Sequence, residues 1–380
     1  MKLIDRIIEQ QVLKNLVPNK VVILLGPRRV GKTVLIQQII KKLQEPYLLL
    51  NGEDFSVLEI LSRRSVQNYK NLLGDKRMLF IDEAQKIPEI GKILKLMVDE
   101  IEGIKILVTG SSAFDMDKYT GEPLTGRKKT FNLLTLSELE LDQIENEIQK
   151  RDNLRIRLVY GNYPELIHIQ NLEDKAEYLK EIVNSYLLKD ILAFENIRNS
   201  DKILNLLRLV AFQIGGQISL SELGTQLSMS KNTVEKYLDL LSKVFILHKV
   251  GGFSRNLRKE VSKSHKWYFY DNGLRNILVA NMNPIELRND IGVLWENYAI
   301  SERLKYQKYS RMIVNNFFWR TYDQQEIDWV EEREGNLFGY EFKWNPRKIP
   351  KPPKAWMNAY PGTEFNVINQ ENYLTWVRNK

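Results

Sequence analysis

The sequence predicts an α/β protein made of several domains. Short apolar runs alternate with helical patterns over the first third, as in a parallel sheet covered by helices. A helix-rich stretch follows, and from residue 285 a long helix precedes three more strand-like runs. Because 380 residues exceed one average domain, we predict four domains, at residues 1–135, 136–198, 199–270 and 271–380.

The composition excludes several classes of function. Hydrophobic residues make up 43% and charged residues 27%, as in ordinary folded proteins. The chain has no cysteine and three scattered histidines, which excludes disulfides and thiol catalysis and disfavours a zinc site. No apolar run is long enough to span a bilayer, and the first residues lack a signal-peptide core, so we expect a cytoplasmic location and no membrane partner. The net charge of +8 permits a nucleic-acid partner without requiring one.

The most informative motif is the glycine-rich segment GPRRVGKT, Gly26–Thr33. The apolar run Val21–Leu25 precedes it and a helical stretch follows, which is the setting of a phosphate-binding loop. Backbone N–H groups would cradle phosphate oxygens, Lys32 would reach the β- and γ-phosphates, and the Thr33 hydroxyl would ligate Mg²⁺. We therefore predict a site for ATP or GTP, formed by Gly26, Pro27, Arg28, Arg29, Val30, Gly31, Lys32, Thr33 and Val34.

A pair of carboxylates follows one of the predicted strands. The strands after the loop are expected at Tyr47–Leu50, Met78–Ile81, Ile104–Val108 and Phe131–Leu134. Asp82 and Glu83 end the second of these, which we expect beside the strand that leads into the loop. Asp82 would hold Mg²⁺, and Glu83 would orient or deprotonate the water that attacks the γ-phosphate. The pair predicts hydrolysis rather than nucleotide binding alone.

Two further groups could complete the site, and each has an alternative interpretation. The strand at Ile104–Val108 runs into Thr109-Gly110-Ser111-Ser112, where a hydroxyl would sense the γ-phosphate, although turn chemistry also favours Gly and Ser. Arg127 lies on the loop before the last strand. It would neutralise transition-state charge in its own site or a neighbour's, or it is a solvated surface arginine.

The motifs GPRRVGKT, IDEAQ, TGSS, LTGR and GNYPEL resemble those of a family of prokaryotic AAA+-like ATPases. The C-terminal part of that family is a domain of unknown function related to restriction endonucleases. The resemblance covers nearly the whole chain. It implies an AAA+-like parallel-sheet domain, ATP rather than GTP, the roles given above for Lys32, Thr33, Asp82 and Glu83, and Ser111 or Ser112 as the sensor. Residues 136–198 resemble the helical lid of such an ATPase.

Residues 199–270 have the pattern of a winged helix. Three helical patterns, at Ser200–Ile214, Ser219–Leu227 and 231–244, precede strand-like runs at Phe245–Val250 and Lys266–Tyr270. The side chains that would face a DNA groove are Lys231, Asn232, Glu235 and Lys236. A basic segment between the two strands would approach phosphates through Arg255, Arg258, Lys259 and Lys263. The alternative is a rigid connector that touches no DNA.

The C-terminal third contains two carboxylates and a lysine on adjacent predicted strands. Strands are expected at Ile313–Trp319, Glu326–Glu331 and Leu337–Trp344, after a helix at Pro284–Tyr306. If Gly335-Asn336 forms a two-residue turn, Asp328 lies opposite Lys343, with Glu341 on the same face.

This constellation is typical of metal-dependent phosphodiester cleavage, in which the carboxylates bind Mg²⁺ and the lysine orients water. It resembles the D…ExK core of restriction-endonuclease-like nucleases, with Glu296 on the preceding helix as an extra metal ligand. The alternatives are a cross-strand salt-bridge cluster and a nuclease fold that binds without cutting.

The sequence therefore leads to two functional hypotheses. The first is ATP hydrolysis coupled to engagement of DNA, with metal-dependent cleavage at Asp328, Glu341 and Lys343. The second is a regulatory nucleotide switch whose inactive C-terminal domain binds a protein partner. A homo-oligomer stays open, because Arg127 would act in trans only if a neighbour's site lies within its reach.

Overall fold

The computed structural model describes residues 3–111, 124–187, 200–253 and 265–378. The described residues divide into two units, one formed by the residues up to 135 together with 243–245 and the other by the remainder. Five residues singled out in the sequence lie outside the described ranges: Ser112, Arg255, Arg258, Lys259 and Lys263.

The first unit is built on a parallel five-stranded sheet with the strand order β2-β3-β4-β1-β5. Its strands are β1 (Lys20–Leu25), β2 (Tyr47–Asn51), β3 (Met78–Asp82), β4 (Lys105–Gly110) and β5 (Lys128–Asn132). The central strands β1, β3 and β4 are buried along almost their whole length. Continuous apolar runs predicted such doubly covered strands, and this prediction is confirmed.

The helices of the first unit are α1 (Glu9–Asn15), α2 (Lys32–Leu43), α3 (Phe55–Ser62), α4 (Val66–Leu73) and α5 (Ile90–Glu100). Helices α3 and α4 begin at N-caps, because the side chains of Asp54 and Ser65 accept backbone N–H groups of their first turns. A short 3₁₀ turn at Ala84–Lys86 follows β3. Helix α5 buries the apolar face that its spacing predicts.

Two details of this sheet differ from the sequence predictions. Strand β4 lies between β1 and β3, so the strand that ends in Asp82 is not the direct neighbour of β1. The prediction assumed an adjacency that the apolar pattern of a strand does not encode. Strand β5 begins at Lys128, three residues before the predicted start, because its polar first residues still pair with β1 from Val21 onward.

The second unit contains a mixed seven-stranded sheet with the order β12-β11-β10-β9-β7-β8-β6. The strands are β6 (Gln217–Ile218), β7 (Leu247–Gly252), β8 (His265–Phe269), β9 (Asn315–Arg320), β10 (Glu326–Arg333), β11 (Asn336–Phe342) and β12 (Glu364–Ile368). Strand β7 pairs parallel with β9, and β11 pairs parallel with β12, whereas the other pairs are antiparallel. Residue 270, a predicted domain boundary, thus separates strands of one sheet.

The α-helices of the second unit are α6 (Glu138–Leu141), α7 (Glu147–Tyr160), α8 (Leu172–Glu181), α9 (Ser200–Phe212), α10 (Leu220–Leu227), α11 (Lys231–Lys243), α12 (Asn272–Leu278), α13 (Ile291–Tyr309), α14 (Lys354–Ala359) and α15 (Tyr373–Trp376). A π-helical turn at Ile182–Leu187 follows α8. Two 3₁₀ turns add to these, at Pro164–Ile167 and Ile285–Leu287. Within the described ranges, no helix combines the length and the apolar character needed to cross a membrane.

The hairpin between β10 and β11 turns one residue earlier than predicted. Arg333 pairs with Asn336, so the two turn residues are Glu334 and Gly335, both with positive φ. A two-residue turn of this kind needs positive φ at both positions, and Gly335 supplies it without strain. The register moves by two, which brings Asp328 opposite Glu341 instead of Lys343. Because the shift is even, all three side chains keep the predicted common face.

Helix α13 buries charged side chains and satisfies them with partners from distant segments. Arg303 donates two hydrogen bonds to the Glu331 carboxylate on β10, at 2.6 and 2.7 Å. Glu302 accepts a hydrogen bond from the Glu138 backbone N–H at 2.8 Å. The Lys305 ammonium donates to the Leu136 carbonyl at 2.8 Å. The contacts to Leu136 and Glu138 dock the start of α6 against α13, and the Arg303–Glu331 pair ties α13 to β10.

The GNYPEL motif takes part in the same docking. The Asn162 backbone N–H donates to the Asp271 carboxylate at 2.8 Å, and the Asn162 amide donates to Glu302 at 3.0 Å. Gly161 has φ +76°, and a Cβ there would lie 1.9 Å from an Asp271 oxygen, so only glycine fits. The motif is therefore structural in this unit.

The acid stability of the second unit should depend on His248. Its ring on β7 lies 5.8 Å from the Tyr270 ring and 6.5 Å from the Trp329 ring, measured between centroids. Burial lowers the pKa of His248 from 6.5 to about 3, so the fold favours the neutral imidazole. The resulting stabilisation is complete above pH 6.5 and is lost as the pH falls toward 3.

We expect the free energy of unfolding of this unit to fall by about 2 kcal/mol between pH 7 and pH 5 through His248, at about 1.4 kcal/mol per pH unit below 6.5. Urea denaturation followed by tryptophan fluorescence measures this unit alone, because all seven tryptophans lie in it. A His248→Phe variant should lose that part of the acid sensitivity. An unchanged pH slope in the variant would contradict the assignment.

Candidate functional site

The glycine-rich loop at the end of β1 encloses the Lys32 ammonium. Gly26 approaches the Leu133 backbone so closely that a Cβ would lie 1.9 Å from its carbonyl oxygen. Gly31 has φ +91°, in the left-handed region, and α2 begins at the next residue. Lys32 is buried, and its ammonium donates to the Gly26 and Pro27 carbonyls at 2.9 and 3.0 Å. The loop therefore has the strand–loop–helix geometry that the sequence predicts.

The other predicted loop residues surround this core in different ways. Val30 is buried, whereas Arg29 is exposed and has a left-handed backbone with φ +65°. Arg28 is half-buried. Val34 on the first turn of α2 is 40% exposed, which leaves an apolar surface beside the loop.

A hydroxyl and a carboxylate meet beside the loop. The Thr33 hydroxyl, on the first turn of α2, donates to the Asp82 carboxylate at the end of β3, at 2.6 Å. The other Asp82 oxygen accepts a hydrogen bond from the Thr109 hydroxyl on β4. Hydroxyl and carboxylate oxygens are the ligands that Mg²⁺ prefers. Thr33 and Asp82 thus fit the predicted magnesium site, although β4 lies between β3, which ends in Asp82, and β1, which leads into the loop.

Glu83 and Ser111 are joined by a glutamine side chain. The Gln85 amide donates to the Glu83 carboxylate and, at 3.0 Å, to the Ser111 hydroxyl after β4. Glu83 has a left-handed backbone, and a Cβ on Gly52 would lie 2.4 Å from its carbonyl oxygen. The two predicted residues therefore share one hydrogen-bonded cluster at the same edge of the sheet as Asp82.

Thr109, in the segment where the sequence predicted a sensing hydroxyl, is fully buried, donates to Asp82 and accepts the Glu83 backbone N–H at 3.0 Å. Two other residues of this region, Gln85 and Arg6, were not predicted from the sequence. Gln85 is the last residue of the IDEAQ motif, two residues after Glu83. This closeness in the sequence could have predicted its contact with Glu83. Arg6 is buried and donates to the Val30 and Leu134 carbonyls at 2.7 and 2.6 Å. Nothing local in the sequence marks Arg6, because its partners lie 24 and 128 residues away.

Arg127 lies at the wrong end of the sheet to act in its own site. Its carbonyl accepts the Val21 backbone N–H at the start of β1, whereas the glycine-rich loop follows the end of β1. The strand between them is about 16 Å long at 3.3 Å per residue. The guanidinium pairs with Asp99 at 2.5 Å and is 43% exposed. This position does not favour a role for Arg127 in its own site, and the role of Arg127 stays a prediction.

In the second unit, four carboxylates and two lysines lie together around the strand ends. The Glu341 carboxylate pairs with the Lys343 ammonium at 2.6 Å. Asp328 accepts the Phe342 backbone N–H at 2.9 Å. Glu296 on α13 accepts the Tyr268 hydroxyl at 2.7 Å.

A residue that was not predicted completes this cluster. The Lys266 ammonium on β8 lies 3.8 Å from Glu296 and also pairs with Glu326. Among the described residues, no three Asp, Glu, His or Cys side chains are placed to share a metal ion. Glu296, Asp328 and Glu341 therefore do not form the predicted metal-binding set in this structure.

Burial sets the protonation of these groups. Desolvation, with a smaller contribution from Asp328, raises the pKa of Glu296 to about 8. Desolvation also raises the pKa of Asp328 and the pKa of Glu341. For Lys266, the charges of Glu296, Asp328 and Glu326 outweigh desolvation and raise the pKa, so its ammonium stays charged.

The helix predicted to face DNA presents a polar surface. Helix α11 buries Val234, Leu238 and Leu241 on one side. Lys231, Asn232 and Lys236 are exposed, and Glu235 is half-buried. Strand β8 pairs antiparallel with β7 and with β6, and these three strands lie before and after this helix in the sequence.

Three family models match separate parts of the chain. Residues 18–141 match a model described as an AAA domain. Residues 151–285 and 291–376 match models described as domains of unknown function, DUF8612 and DUF4143. The first match, together with the parallel sheet and the glycine-rich loop, supports an AAA+-like ATPase domain in the first third of the chain.

Relatives match over most of the chain. An uncharacterized protein of Mycobacterium tuberculosis is 25% identical over 328 residues, which are 85% of this chain and 70% of that protein. An uncharacterized protein of Methanocaldococcus jannaschii is 26% identical over 331 residues, 80% of this chain and 74% of that protein. Among solved structures, a mutant of Thermotoga maritima RuvB has a TM-score of 0.32 at 18% identity, with 65% of this chain and 90% of that chain covered.

The buried guanidinium of Arg6 should be needed to hold the loop. Replacing it in Arg6→Met leaves the Val30 and Leu134 carbonyls without their donor, which should destabilise this region by about 1–3 kcal/mol. We expect faster hydrogen exchange in peptides that cover residues 20–43, measured by mass spectrometry. Lys14→Met, an exposed change on α1, is the control. Equal exchange in both variants would show that Arg6 does not hold the loop.

Proposed function

We propose that the protein hydrolyses ATP with Mg²⁺ at the site formed by Gly26–Thr33, Asp82 and Glu83. The hydrogen bond of 2.6 Å between Thr33 and Asp82 is the observation that supports this most directly. It joins the first turn of α2 to the end of β3 and so brings together the two residues that would hold a magnesium ion. The match of residues 18–141 to an AAA domain supports the same proposal.

Each group has a defined part in this proposal. The loop N–H groups and the N-terminus of α2 bind the phosphates. Lys32 exchanges its bonds with the Gly26 and Pro27 carbonyls for phosphate oxygens. Thr33 and Asp82 would hold Mg²⁺, which would supply positive charge beside the β- and γ-phosphates.

In this proposal, Glu83 and its neighbours position the attacking water. Glu83 orients it and accepts its proton. Gln85 holds the Glu83 carboxylate in place and links it to Ser111, which would report the γ-phosphate. Arg127 would contribute only to the site of another subunit, since it lies at the far end of β1.

Hydrolysis should depend on Lys32 and Glu83 in different ways. Lys32→Ala should weaken both ATP binding and hydrolysis, because the phosphates lose their cation. Glu83→Gln should bind ATP as the parent does and hydrolyse it about 100-fold more slowly, since only the general base is lost. Binding of a fluorescent ATP analogue and release of phosphate measure the two effects separately.

The matched control is Lys41→Ala, which removes an exposed lysine from the same helix as Lys32. Its hydrolysis should equal that of the parent. If Lys32→Ala hydrolyses ATP as fast as Lys41→Ala, the assignment of this loop as the nucleotide site fails.

We further propose that helices α9 to α11 and strands β6 to β8 form a winged-helix-like module that engages DNA. The exposed Lys231 and Lys236 on α11, the packing of its opposite face, and the adjacent antiparallel strands support this proposal. A second candidate is a nucleotide switch whose C-terminal strands serve a protein partner. The Lys266 ammonium inside the acidic cluster favours it, because that cluster then lacks the ligand geometry of a metal nuclease.

DNA binding through α11 should show in its salt dependence. Each lysine that no longer neutralises a DNA phosphate lowers the slope of log affinity against log salt by about one. A Lys231→Ala/Lys236→Ala variant should therefore lower the slope by about two, measured by fluorescence anisotropy with a labelled duplex. Lys70→Ala/Lys95→Ala removes the same charge from exposed positions of the first unit and should keep the parent slope. Absence of salt-sensitive binding by the parent would favour the nucleotide switch.

A further inference from the structure

A lysine ammonium occupies the acidic cluster of the second unit. The side chain of Lys266 is only 2% exposed. It pairs with Glu326 and lies 3.8 Å from Glu296, and its ammonium is 5.4 Å from the centroid of the Phe318 ring. Lys266 belongs to β8, which pairs with β7 on one side and β6 on the other. The sheet therefore fixes the position of this cation.

The carboxylates that a metal ion would need already have protein partners. Glu296 accepts the Tyr268 hydroxyl at 2.7 Å, and Asp328 accepts the Phe342 N–H at 2.9 Å. Glu341 is paired at 2.6 Å with Lys343, the lysine that would have to orient water in a nuclease. Magnesium requires about six oxygen ligands at about 2.1 Å in octahedral geometry. The donor set here does not fit that requirement.

The cluster nevertheless needs a cation. Carboxylates removed from water are strongly destabilised unless a positive charge or hydrogen bonds compensate them. Glu296 receives such compensation from Lys266 at 3.8 Å, and the less buried Glu326 receives it from Lys266 and, at 3.6 Å, from Arg320. A divalent ion entering the same space would meet the positive charge of Lys266 at close range and be repelled.

We propose that Lys266 is a built-in cation that takes the place of a divalent metal in the cluster of Glu296, Glu326, Asp328 and Glu341. The C-terminal strands of the native chain then bind no Mg²⁺ or Mn²⁺ at Asp328 and cleave no phosphodiester bonds. The cluster instead ties β8 to α13 and β10. This inference does not depend on ATP hydrolysis by the first unit.

Mn²⁺ binding to the full chain tests the proposal, with isothermal titration and paramagnetic resonance as readouts. Any Mn²⁺ bound near Thr33 and Asp82 is common to all variants, so each protein is compared with its own Asp328→Asn derivative. The parent and its Asp328→Asn derivative should bind the same number of Mn²⁺ ions. Lys266→Met should gain one Mn²⁺ site that the parent lacks and that disappears on Asp328→Asn.

Two further variants separate the charge of Lys266 from a general change in the sheet. Lys266→Arg keeps a cation in the cluster and should gain no Mn²⁺ site. Lys249→Met removes a lysine from the neighbouring strand β7, where it pairs with Asp239, and should also gain none. A gain of Mn²⁺ binding in either of these variants would overturn the proposal.

An Asp328-dependent Mn²⁺ site in the parent would overturn the proposal, as would parental nicking of plasmid DNA that stops on Asp328→Asn. A folded Lys266→Met protein without a new site would also overturn it. If Lys266→Met does not fold, the comparison of the parent with Asp328→Asn decides alone. ATP hydrolysis by the parent is measured beside these titrations, so that failure of the nucleotide site is recognised separately.

Discussion

The second unit depends on the burial of charge along α13. A helix that buries Glu302, Arg303 and Lys305 is unstable unless each charge finds a partner. Those partners come from the start of α6, from β10 and from the GNYPEL segment, so that segments far apart in the chain must be in place together. Strong pairing requirements of this kind favour one arrangement over many loosely packed ones.

In the first unit, by contrast, short polar side chains meet at one edge of the sheet. Thr33, Asp82 and Thr109 come from three elements and reach one another because parallel strands end at the same edge. The loop is held by the Leu133 backbone, which lies against Gly26, and by the Arg6 guanidinium, which donates to the Val30 carbonyl. Together with the AAA-domain match, this edge supports nucleotide hydrolysis as the activity of the unit.

The sequence predicted those features whose cause is local. The glycine-rich loop, the apolar strands and the face shared by Asp328 and Glu341 follow from spacing and alternation, and the structure has them. The position of β4 between β1 and β3 and the far location of Arg127 depend on topology, which spacing does not encode. Lys266 could not be predicted as a member of the acidic cluster, because its partners lie 30 and 60 residues further along the chain.

The parallel pairing of β7 with β9 has a practical consequence for anyone who divides this chain. Gly251 and Gly252 pair with Phe317 and Phe318, and Phe253 packs among the aromatic residues around Trp356. A fragment that starts after residue 270 would leave β9 with an unpaired edge and a gap where the Phe253 ring sits. An unpaired strand edge can pair with a strand of another molecule, so the fragment would be prone to aggregate. The chain from residue 136 onward keeps this sheet whole and also keeps the partners of Glu302 and Lys305 on α13.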